Sequence, residues 1–362
     1  MKKGFTLIEL LGIILVLGLI VAFTVPSIMK TLKNSDDKEY ENFLKTVSMA
    51  SETYYQSNDK ICDFQNENIC YFDAKKLIES GLIDETLINP RTNKGIQSSD
   101  MIVVKKNEDG SLNYNFSSLE EYNQQGILVH YDAINNTRDG HDWTTDIWED
   151  ISGNSYDATL NNFDISNVWK NNALLFSGNN YGSTSSEYVA FDLSTQNSTE
   201  FTISLYTKQN SWADADSDRY QRIFSTYNND KTKIFGIYPS YQSNEYCGYI
   251  EFFGDGTSKH ISSYGLSETE NYGLTVTCLG TTYKVFKNGQ FVKSFDISSY
   301  TEISDITCND ILNSNMLLGN VYNFVRPYKG ELYNFKIYNR VLTDEEIMQN
   351  YKVDNSRFNN ID

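Results

Sequence analysis

Residues 282–295 read TYKVFKNGQFVKSF, two strand-like runs on either side of Lys287-Asn288-Gly289. An Asn-Gly pair between such runs is a strong signal for a β-hairpin, because both residues accept the positive φ of a tight turn. Similar short runs recur from about residue 126, separated by Asn, Gly, Asp and Ser. They include 127–131, 173–176, 201–206, 234–238, 248–253 and 274–277. Many short strands with turn signals, over roughly two hundred residues, predict a β-sandwich or jelly roll.

Three stretches of this region carry a more specific pattern. Residues 148–160 read WEDISGNSYDATL, residues 175–178 read LFSG, and residues 328–343 read YKGELYNFKIYNRVLT. They resemble the opening, second and closing strands of the concanavalin A-like jelly rolls of the laminin G-like group. We therefore predict a laminin G-like jelly roll over residues 123–351 and a C-terminal tail over residues 352–362.

The resemblance implies a fold that serves sugar-binding modules, adhesins and some glycosidases. A retaining glycosidase needs two carboxylates about 5–5.5 Å apart, which this fold usually supplies as alternating acids on one strand. No strand-like run here has that alternation, and Glu251 stands alone in its run. We therefore predict that the chain is not an enzyme, and that the domain binds a glycan or a host or matrix protein.

Sugar binding in such folds uses exposed aromatic rings that stack on pyranose faces. Trp148 and Trp169 lie beside the pattern residues and are predicted to belong to the core. The aromatic residues in polar loop stretches are the predicted ligand contacts: Trp143, Tyr181, Trp212 and Tyr220.

Many domains of the laminin G-like group hold a structural Ca²⁺, so the resemblance also implies calcium as a cofactor. Asp150, Ser152 and Asn154 offer oxygen atoms within one turn. The alternative is ordinary turn chemistry, since such side chains also hydrogen-bond nearby backbone amides. The closing strand has Tyr333-Asn334 where the group has an acidic residue. A calcium site is therefore predicted only at the Asp150 turn.

The N-terminus has a different character. Residues 5–25 read FTLIELLGIILVLGLIVAFTV, with Glu9 as their single charge. A helix of this length crosses a hydrocarbon core of about 30 Å, and Lys2 and Lys3 before it favour a cytoplasmic N-terminus. The pattern predicts a single-pass helix in the cell membrane with the rest of the chain outside. A cleaved signal peptide and a plain anchor are the alternatives, but a carboxylate within an apolar span indicates a function.

Residues 3–10, KGFTLIEL, resemble the N-terminal signature of type IV pilins and pseudopilins. The resemblance implies a leader of residues 1–4, cleavage between Gly4 and Phe5 by a prepilin peptidase, and N-methylation of Phe5. Glu9 would then neutralise the Phe5 amine of a neighbouring subunit inside an apolar filament core, where unpaired charges are costly. The implied partners are other pilin subunits, the prepilin peptidase and the membrane.

The predicted N-terminal helix continues outward and spans residues 5–57. Pro26 matches a pilin position at which proline kinks the helix. Residues 58–122 then read as a small pilin-like unit, with a short helix at 73–81 and a hairpin around 107–110. The outer half of the long helix carries an apolar stripe suited to packing: Tyr40, Phe43, Leu44, Val47, Ala50 and Tyr54.

Charge and cysteine content limit the remaining function classes. The formal net charge of −18 argues against nucleic acid as a partner, because phosphates demand a basic surface. Cys62 and Cys70 are close enough in sequence to bridge one loop in an oxidising compartment. Cys247, Cys278 and Cys308 form an odd set, so at least one of them is predicted to be a free thiol, and all three are predicted to be buried and inert.

These interpretations predict an α+β, mostly β protein. It has a long N-terminal transmembrane α-helix, a small pilin-like unit and a concanavalin A-like antiparallel β-sandwich. The predicted function is a minor or tip-located subunit of an extracellular type IV pilus or pseudopilus that displays the jelly roll for adhesion or recognition. The alternatives are a major structural pilin or pseudopilin whose extra domain only decorates the filament, and a surface glycan hydrolase.

Overall fold

The structure, a computed structural model, describes residues 38–62, 64, 68–98, 100–179, 185–210, 221–242, 245–254, 256–267 and 270–358. The chain folds into two compact units. Among the described residues, the smaller unit contains those of 38–62 and 72–118, and the larger unit contains those of 64–71 and 119–358.

The smaller unit is built on an amphipathic helix, α1, over residues 38–57. Tyr40, Phe43, Val47 and Ala50 are buried along one face of α1, as their spacing predicts. The Phe43 ring meets Phe116 edge-to-face, with 5.1 Å between centroids. The remaining elements of this part of the chain are a 3-10 turn (Asp59–Ile61), β1 (Ile69–Asp73), α2 (Lys75–Glu79), β2 (Ile88–Asn89), β3 (Lys94–Gly95), β4 (Met101–Lys106) and β5 (Leu112–Ser117). β1, β4 and β5 form a sheet in the order β1-β4-β5, and β2 pairs with β3.

The larger unit contributes strands β6 to β21, two helices and three 3-10 turns to the described residues. The strands are β6 (Ile127–Asp132), β7 (Ile147–Trp148), β8 (Ala158–Asn161), β9 (Trp169–Lys170), β10 (Ala173–Ser177), β11 (Tyr188–Asp192), β12 (Glu200–Gln209), β13 (Phe224–Tyr227), β14 (Ile234–Gln242), β15 (Glu245–Gly254), β16 (Thr257–Gly265), β17 (Asn271–Leu279), β18 (Thr282–Lys287), β19 (Gln290–Asp296), β20 (Asn315–Leu318) and β21 (Lys329–Tyr338). The helices are α3 (Cys308–Leu312) and α4 (Asp344–Phe358), and the 3-10 turns are Leu119–Glu121, Ile165–Asn167 and Ile297–Ser299.

These strands form two eight-stranded antiparallel sheets. The first sheet has the order β19-β18-β17-β12-β21-β10-β9, and β6 also pairs with β21. The second sheet has the order β16-β15-β14-β13-β20-β11-β8-β7. Strands that are distant in the chain are neighbours in both sheets, which is the arrangement of a jelly-roll sandwich.

The 282–295 hairpin forms as predicted. β18 pairs with β19, and Asn288 and Gly289 between them have φ angles of 51° and 73°. Positive φ at both central positions defines the turn whose twist matches that of the flanking strands, so the Asn-Gly pair is required here.

Aromatic side chains from both sheets meet in one core. Phe335 of β21 lies 5.2 Å from Phe224 of β13, measured between ring centroids. Phe252 of β15 meets Tyr283 of β18 edge-to-face at 5.0 Å. All four rings are buried, so the alternation along each strand sends its apolar residues into the space between the sheets.

Helix α4 packs against β21 and buries four charged side chains. This ion cluster consists of Asp132, Lys336, Asp354 and Arg357, none of which is more than 2% exposed. Lys336 Nζ donates to Asp354 Oδ1 at 3.0 Å, and Arg357 Nη2 donates to Asp132 Oδ1 at 2.9 Å. Two positive and two negative charges therefore compensate each other away from water.

Neutral polar groups complete the ion cluster. Tyr122 Oη donates to Asp354 Oδ1 at 2.7 Å, and Asn334 Nδ2 donates to Asp132 Oδ2 at 2.9 Å. Burial lowers the pKa of Lys336 and raises the pKa of Asp354, while each partner's charge opposes that effect. Charged side chains can be buried without a large loss of stability when each of them is hydrogen-bonded, as in this cluster.

The predicted fold class, α+β with a long transmembrane helix ahead of the sandwich, is wrong for the part of the chain that the structure describes. That part is a mostly β jelly-roll sandwich, and none of its helices is long and apolar enough to span a membrane. α1 shows the physical reason, because Lys38, Glu39 and Glu41 give it an exposed charged face. The segment 5–25, which carried the prediction, lies outside the described residues.

The predicted boundary between jelly roll and tail at residue 351 also needs correcting. α4 runs without interruption from Asp344 to Phe358. Val353, Asp354, Arg357 and Phe358 are buried, so residues 352–358 belong to the sandwich and not to a tail.

We expect Arg357→Met to destabilise the fold by about 3–5 kcal/mol, because it leaves a buried carboxylate without its charge partner. Urea unfolding of the full chain measures the change. Arg138→Met is the matched control: Arg138 pairs with Glu149 and Asp157, but its side chain is 40% exposed, so its loss should cost about 0–1 kcal/mol. Equal effects of the two variants would contradict a stabilising role for the ion cluster.

Candidate ligand-binding pocket

Three residues form a row on the face of the second sheet that points away from the core. Gly236 of β14 pairs with Glu251 of β15, and Glu251 pairs with His260 of β16. Their chain neighbours on these strands point the other way and are buried in the core: Phe235, Ile237, Ile250, Phe252 and Ile261. The period-2 alternation of a strand therefore places a polar row directly behind an apolar one.

Arg222, just before β13, forms an ion pair with Glu251. Arg222 Nε donates to Glu251 Oε2 at 2.9 Å, and Arg222 Nη2 donates to the same oxygen. The two side chains are 4% and 12% exposed. A Cβ at Gly236 would lie 3.3 Å from Glu251 Oε2 and 3.4 Å from Arg222 Nε, so glycine leaves the room that this pair needs.

His260 connects the ion pair to the mouth of the pocket. Its Nδ1 lies 2.9 Å from Tyr238 Oη and 3.7 Å from Glu251 Oε1, and its Nε2 lies 3.2 Å from Ser258 Oγ. Burial lowers the pKa of His260, and the positive charge of Arg222 acts in the same direction while Glu251 opposes it. The imidazole is therefore a neutral hydrogen-bonding group at pH 7.

One buried asparagine holds the loop between β20 and β21. Asn320 Oδ1 accepts hydrogen bonds from the backbone N–H groups of Val321 and Arg326, at 2.9 and 3.0 Å. Its Nδ2 donates to Ser186 Oγ at 2.8 Å. The Arg326 carbonyl in turn accepts from the Arg222 backbone N–H at 3.2 Å. The loop is thus fixed to the segment just before β13 that carries Arg222.

These elements enclose a cavity of about 380 Å³. It is lined by Arg222, Ile234, Glu251, Phe253, Ser258, His260, Val321, Tyr322, Asn323 and Arg326. A cavity of this size accommodates a small ligand such as one or two sugar units, and its lining combines apolar walls with hydrogen-bonding groups. The arrangement can bind and orient a polar ligand.

Trp143, the one predicted ligand contact among the described residues, lies elsewhere. Its ring packs against His141 at 4.2 Å and Tyr71 at 5.4 Å between centroids, and it borders the sandwich core. It does not line the cavity around His260. Ligand binding by Trp143 stays a prediction. Trp148 and Trp169 are buried, as predicted for core residues.

The Asp150 turn is held together by its own hydrogen bonds. Asp150 Oδ1 accepts from the backbone N–H groups of His130 and Ser152, both at 2.9 Å, and Oδ2 accepts from Ser152 Oγ and the Tyr156 N–H. Asn154 Nδ2 donates to the Leu128 carbonyl at 3.0 Å. Within the described residues, no three His, Cys, Asp or Glu side chains are arranged to hold a metal ion. Calcium at this turn stays a prediction.

The other predicted site residues lie outside the described residues. They are Gly4, Phe5, Glu9 and Pro26 at the N-terminus, and Tyr181, Trp212 and Tyr220 in the jelly roll.

The structure pairs two of the cysteines whose state the sequence left open. Cys278 of β17 and Cys308 at the start of α3 form a disulfide, with 5.9 Å between their Cα atoms. Both are buried, but 30 residues separate them in sequence, so only the fold brings them together. Cys62 and Cys70 are also disulfide-bonded.

The pocket itself was not predictable as a site. Its arginines, its glutamate and its histidine are Arg222, Arg326, Glu251 and His260, and none of them belongs to a recognisable motif. The available signal is the alternation in residues 248–253, which places Glu251 opposite to its apolar neighbours. The pocket forms only because strand register and the fold bring Arg222 and Arg326, which are distant in sequence, close to Glu251.

Comparison with known families agrees with the architecture of the sandwich. Residues 177–348 match the family model Laminin_G_3, described as the concanavalin A-like lectin/glucanases superfamily. This part of the chain is a jelly-roll sandwich that is similar to the domains of that family.

A second similarity concerns pilins. Over 66 residues the chain is 32% identical to the type IV major pilin protein PilA of Myxococcus xanthus. The match covers 18% of this chain and spans 30% of the length of that pilin.

Solved structures with similar strand arrangements include several binding domains. Domain 4 of AbnA, an extracellular arabinanase from Geobacillus stearothermophilus, solved with arabinotriose, is 15% identical with a TM-score of 0.42, over 62% of this chain and 98% of that one. The CBM40 domain of the Ruminococcus gnavus IT-sialidase, bound to α2,6-sialyllactose, is 21% identical with a TM-score of 0.35, over 49% and 94%.

We expect stability to fall between pH 7 and pH 5 partly because of His141. Burial lowers the pKa of this imidazole from 6.5 to about 4, although its Nδ1 donates to the Ile134 carbonyl at 3.0 Å. The unfolded chain binds a proton below pH 6.5 that the folded chain takes up only near pH 4, so stability is lost as the pH falls through this window.

His141→Gln should reduce that loss by about 2 kcal/mol, measured by urea unfolding of the full chain at pH 7 and pH 5. Burial also lowers the pKa of His130, which the variant retains. His130 therefore accounts for the pH dependence of stability that remains in the variant. An unaltered pH dependence in His141→Gln would show that His141 does not contribute to it.

Proposed function

We propose that this protein is a minor or tip-located pilin-like subunit that displays its jelly roll for recognition of a glycan or a protein surface. The observation that carries the proposal is the combination, in one chain, of a pilin-type N-terminal segment and a jelly roll with a preformed pocket. The N-terminal segment would insert the subunit into a filament, and the jelly roll would be the binding domain that the filament displays.

The pilin part is supported by residues 3–10, KGFTLIEL, and by the similarity to a type IV major pilin over 66 residues. In this proposal a peptidase cleaves after Gly4, and the new amine of Phe5 pairs with Glu9 of a neighbouring subunit. Burying two opposite charges together costs less free energy than burying either charge alone. The pairing therefore favours the axial register of neighbouring subunits in which the two charges meet.

The recognition part is supported by the chemistry of the pocket. Partly exposed Tyr322 and Phe253 supply apolar walls, and Asn323, Ser258 and His260 supply hydrogen-bonding groups. Sugars are bound by this combination, because their rings have apolar faces and polar edges.

The lining of the pocket favours binding over hydrolysis. Among the ten described residues around the cavity, Glu251 is the only carboxylate, and it is engaged by Arg222. A retaining or inverting glycosidase needs a second carboxylate across the scissile bond. Release of reducing sugar from a bound glycan would overturn this part of the proposal.

An extracellular location is supported by the disulfides. The bridge between Cys278 and Cys308 and the oxidised state of Cys62 and Cys70 fit a compartment outside the cytoplasm, where disulfides form and persist.

A major structural pilin is the second candidate, because the pilin that the chain resembles is named as a major pilin. A jelly roll of this size would crowd a densely packed shaft, which favours low copy number or a tip position. Immunogold labelling of filaments distinguishes the two: labelling at the tips or in rare patches is expected, and continuous labelling along the shaft would favour the major pilin.

We expect Glu9→Ala to leave processing after Gly4 intact but to block incorporation into filaments, because the Phe5 amine would lose its partner. Mass spectrometry of the mature N-terminus and immunoblotting of sheared filaments measure the two steps. Glu39→Ala is the matched control, since Glu39 is an exposed residue of α1 and its substitution removes the same charge. Normal incorporation of the Glu9→Ala variant would contradict the proposed pairing.

A further inference from the structure

We propose that the pocket on the second sheet binds a neutral saccharide, one hydroxyl group of which donates a hydrogen bond to Glu251 Oε1. The inference rests on the proposed function, because it names the ligand class and the central contact of the same pocket. It is carried by three observations: the oxygen atom of Glu251 that the ion pair does not use, the charge balance of that pair, and the composition of the remaining wall.

The ion pair uses only one oxygen atom of Glu251. Arg222 Nε and Nη2 both donate to Oε2, the first at 2.9 Å. Oε1 accepts no hydrogen bond from the described part of the chain. His260 Nδ1 lies 3.7 Å from it, beyond hydrogen-bonding distance, and is 2.9 Å from Tyr238 Oη instead. Leaving the acceptor positions of a largely buried carboxylate unfilled costs free energy, so the pocket favours a ligand that can donate to Oε1.

The position of this acceptor is fixed before a ligand binds. The side chains of Arg222 and Glu251 are 4% and 12% exposed, and the Arg222 guanidinium carbon lies 4.0 Å from the centroid of the Tyr238 ring. Glu251 lies on β15, between strand neighbours on both sides. A charged acceptor that is already held in place loses little entropy when a ligand binds, which is a property of a built binding site.

The charge of the pair favours a neutral ligand over an ionic one. Arg222 compensates the charge of Glu251, so no cationic ligand is needed to neutralise the carboxylate. An anionic group at Oε1 would meet a like charge at short range and would have no proton to donate. A hydroxyl group donates a hydrogen bond and brings no charge into the pocket. The chemistry of this oxygen atom therefore selects a neutral donor.

The rest of the wall fits a sugar ring. The cavity of about 380 Å³ has room for one or two sugar units. Tyr322 and Phe253 are partly exposed and offer ring faces for a pyranose, while Asn323 and Ser258 are exposed and carry further donors and acceptors. A saccharide uses all of these groups at once, because it combines an apolar ring face with several hydroxyl groups. A simple alcohol or amide would leave the aromatic rings uncovered.

The first test is a binding measurement with purified full-length protein. The neutral probes are arabino-, galacto-, gluco- and manno-oligosaccharides, and the acidic probes are an oligouronate and a sialylated oligosaccharide. We expect at least one neutral probe to bind, with an affinity that changes less than twofold when the salt concentration is raised, because no net charge is brought together. Tighter binding of an acidic probe than of every neutral probe would overturn the inference.

Analogues of the neutral probe that binds locate the donated hydrogen bond. Each hydroxyl group is replaced in turn by hydrogen and by fluorine, which is similar in size to a hydroxyl group but cannot donate. At one position both replacements should weaken binding at least tenfold, because a hydrogen bond to a charged acceptor is lost. Retention of affinity within threefold at every position would overturn the inference. This test uses the unaltered protein and does not depend on the folding of a variant.

Two variants connect that hydrogen bond to Glu251. Glu251→Gln should bind the parent saccharide at least tenfold more weakly, and removal of the same hydroxyl group should then cost less than threefold. Glu149→Gln is the matched control, since Glu149 also pairs with an arginine, Arg138, but does not line the cavity; binding should change less than twofold. A tenfold effect of the hydroxyl group that persists in Glu251→Gln would overturn the assignment.

Circular dichroism and urea unfolding show whether Glu251→Gln is folded. If it is not, the double variant Arg222→Gln, Glu251→Gln takes its place, because it removes both charges and leaves neither of them buried without a partner. The same loss of the hydroxyl effect is expected in the double variant, and its persistence there would equally overturn the assignment to Glu251.

The outcomes also separate this inference from the proposed function. Binding of a glycan that neither Glu251→Gln nor the double variant affects overturns the inference and leaves the glycan-displaying subunit in place. Absence of the protein from filaments, in the Glu9 experiment, overturns the pilin role whatever the pocket binds. Failure of every probe to bind overturns the inference, and adhesion of intact filaments to host matrix then tests protein recognition separately.

Discussion

The jelly roll depends on how the charges of Asp132 and Lys336 are compensated. Both side chains are fully buried, and both belong to strands, β6 and β21, that pair with each other in the first sheet. Charges in this environment are acceptable only if each meets an opposite charge and further hydrogen bonds. α4 supplies both partners, Arg357 and Asp354, which lie three residues apart on one helical face. The C-terminal helix is therefore an integral layer of the sandwich, and its end cannot be treated as a tail.

The same sandwich positions the pocket through the alternation of its strands. In β14 and β15, every second residue enters the aromatic core, and the residues between them face outward. Gly236 and Glu251 belong to this outward set, and antiparallel pairing places them beside His260. The pocket thus lies on the outer face of the second sheet, whose inner face packs into the core. The loop around Tyr322 to Arg326 is the part of the pocket that needs separate support. Asn320 provides that support from a fully buried position.

Sequence and structure agree best where the determinants are local. The runs at 127–131, 173–176 and 201–206 become β6, β10 and β12, because alternation and turn residues act over a few positions. The Asn288-Gly289 turn forms because few other pairs accept its backbone angles. The apolar stripe of α1 is buried as its spacing indicates. The transmembrane part of the predicted fold class is not supported, since α1, the described part of that predicted helix, has a charged face.

What the sequence by itself determined is several strands of the sandwich, the Asn288-Gly289 turn and the jelly-roll class of the large domain. Each follows from side-chain periodicity, turn chemistry or a contiguous motif. Only the tertiary structure decided the Cys278–Cys308 bridge, the ion cluster under α4 and the pocket around Arg222, Glu251, His260 and Arg326. The bridge joins residues that are 30 positions apart, and the Arg357–Asp132 pair joins residues that are 225 positions apart. Their formation depends on strand register and on the order of strands in two sheets, which local sequence patterns do not encode.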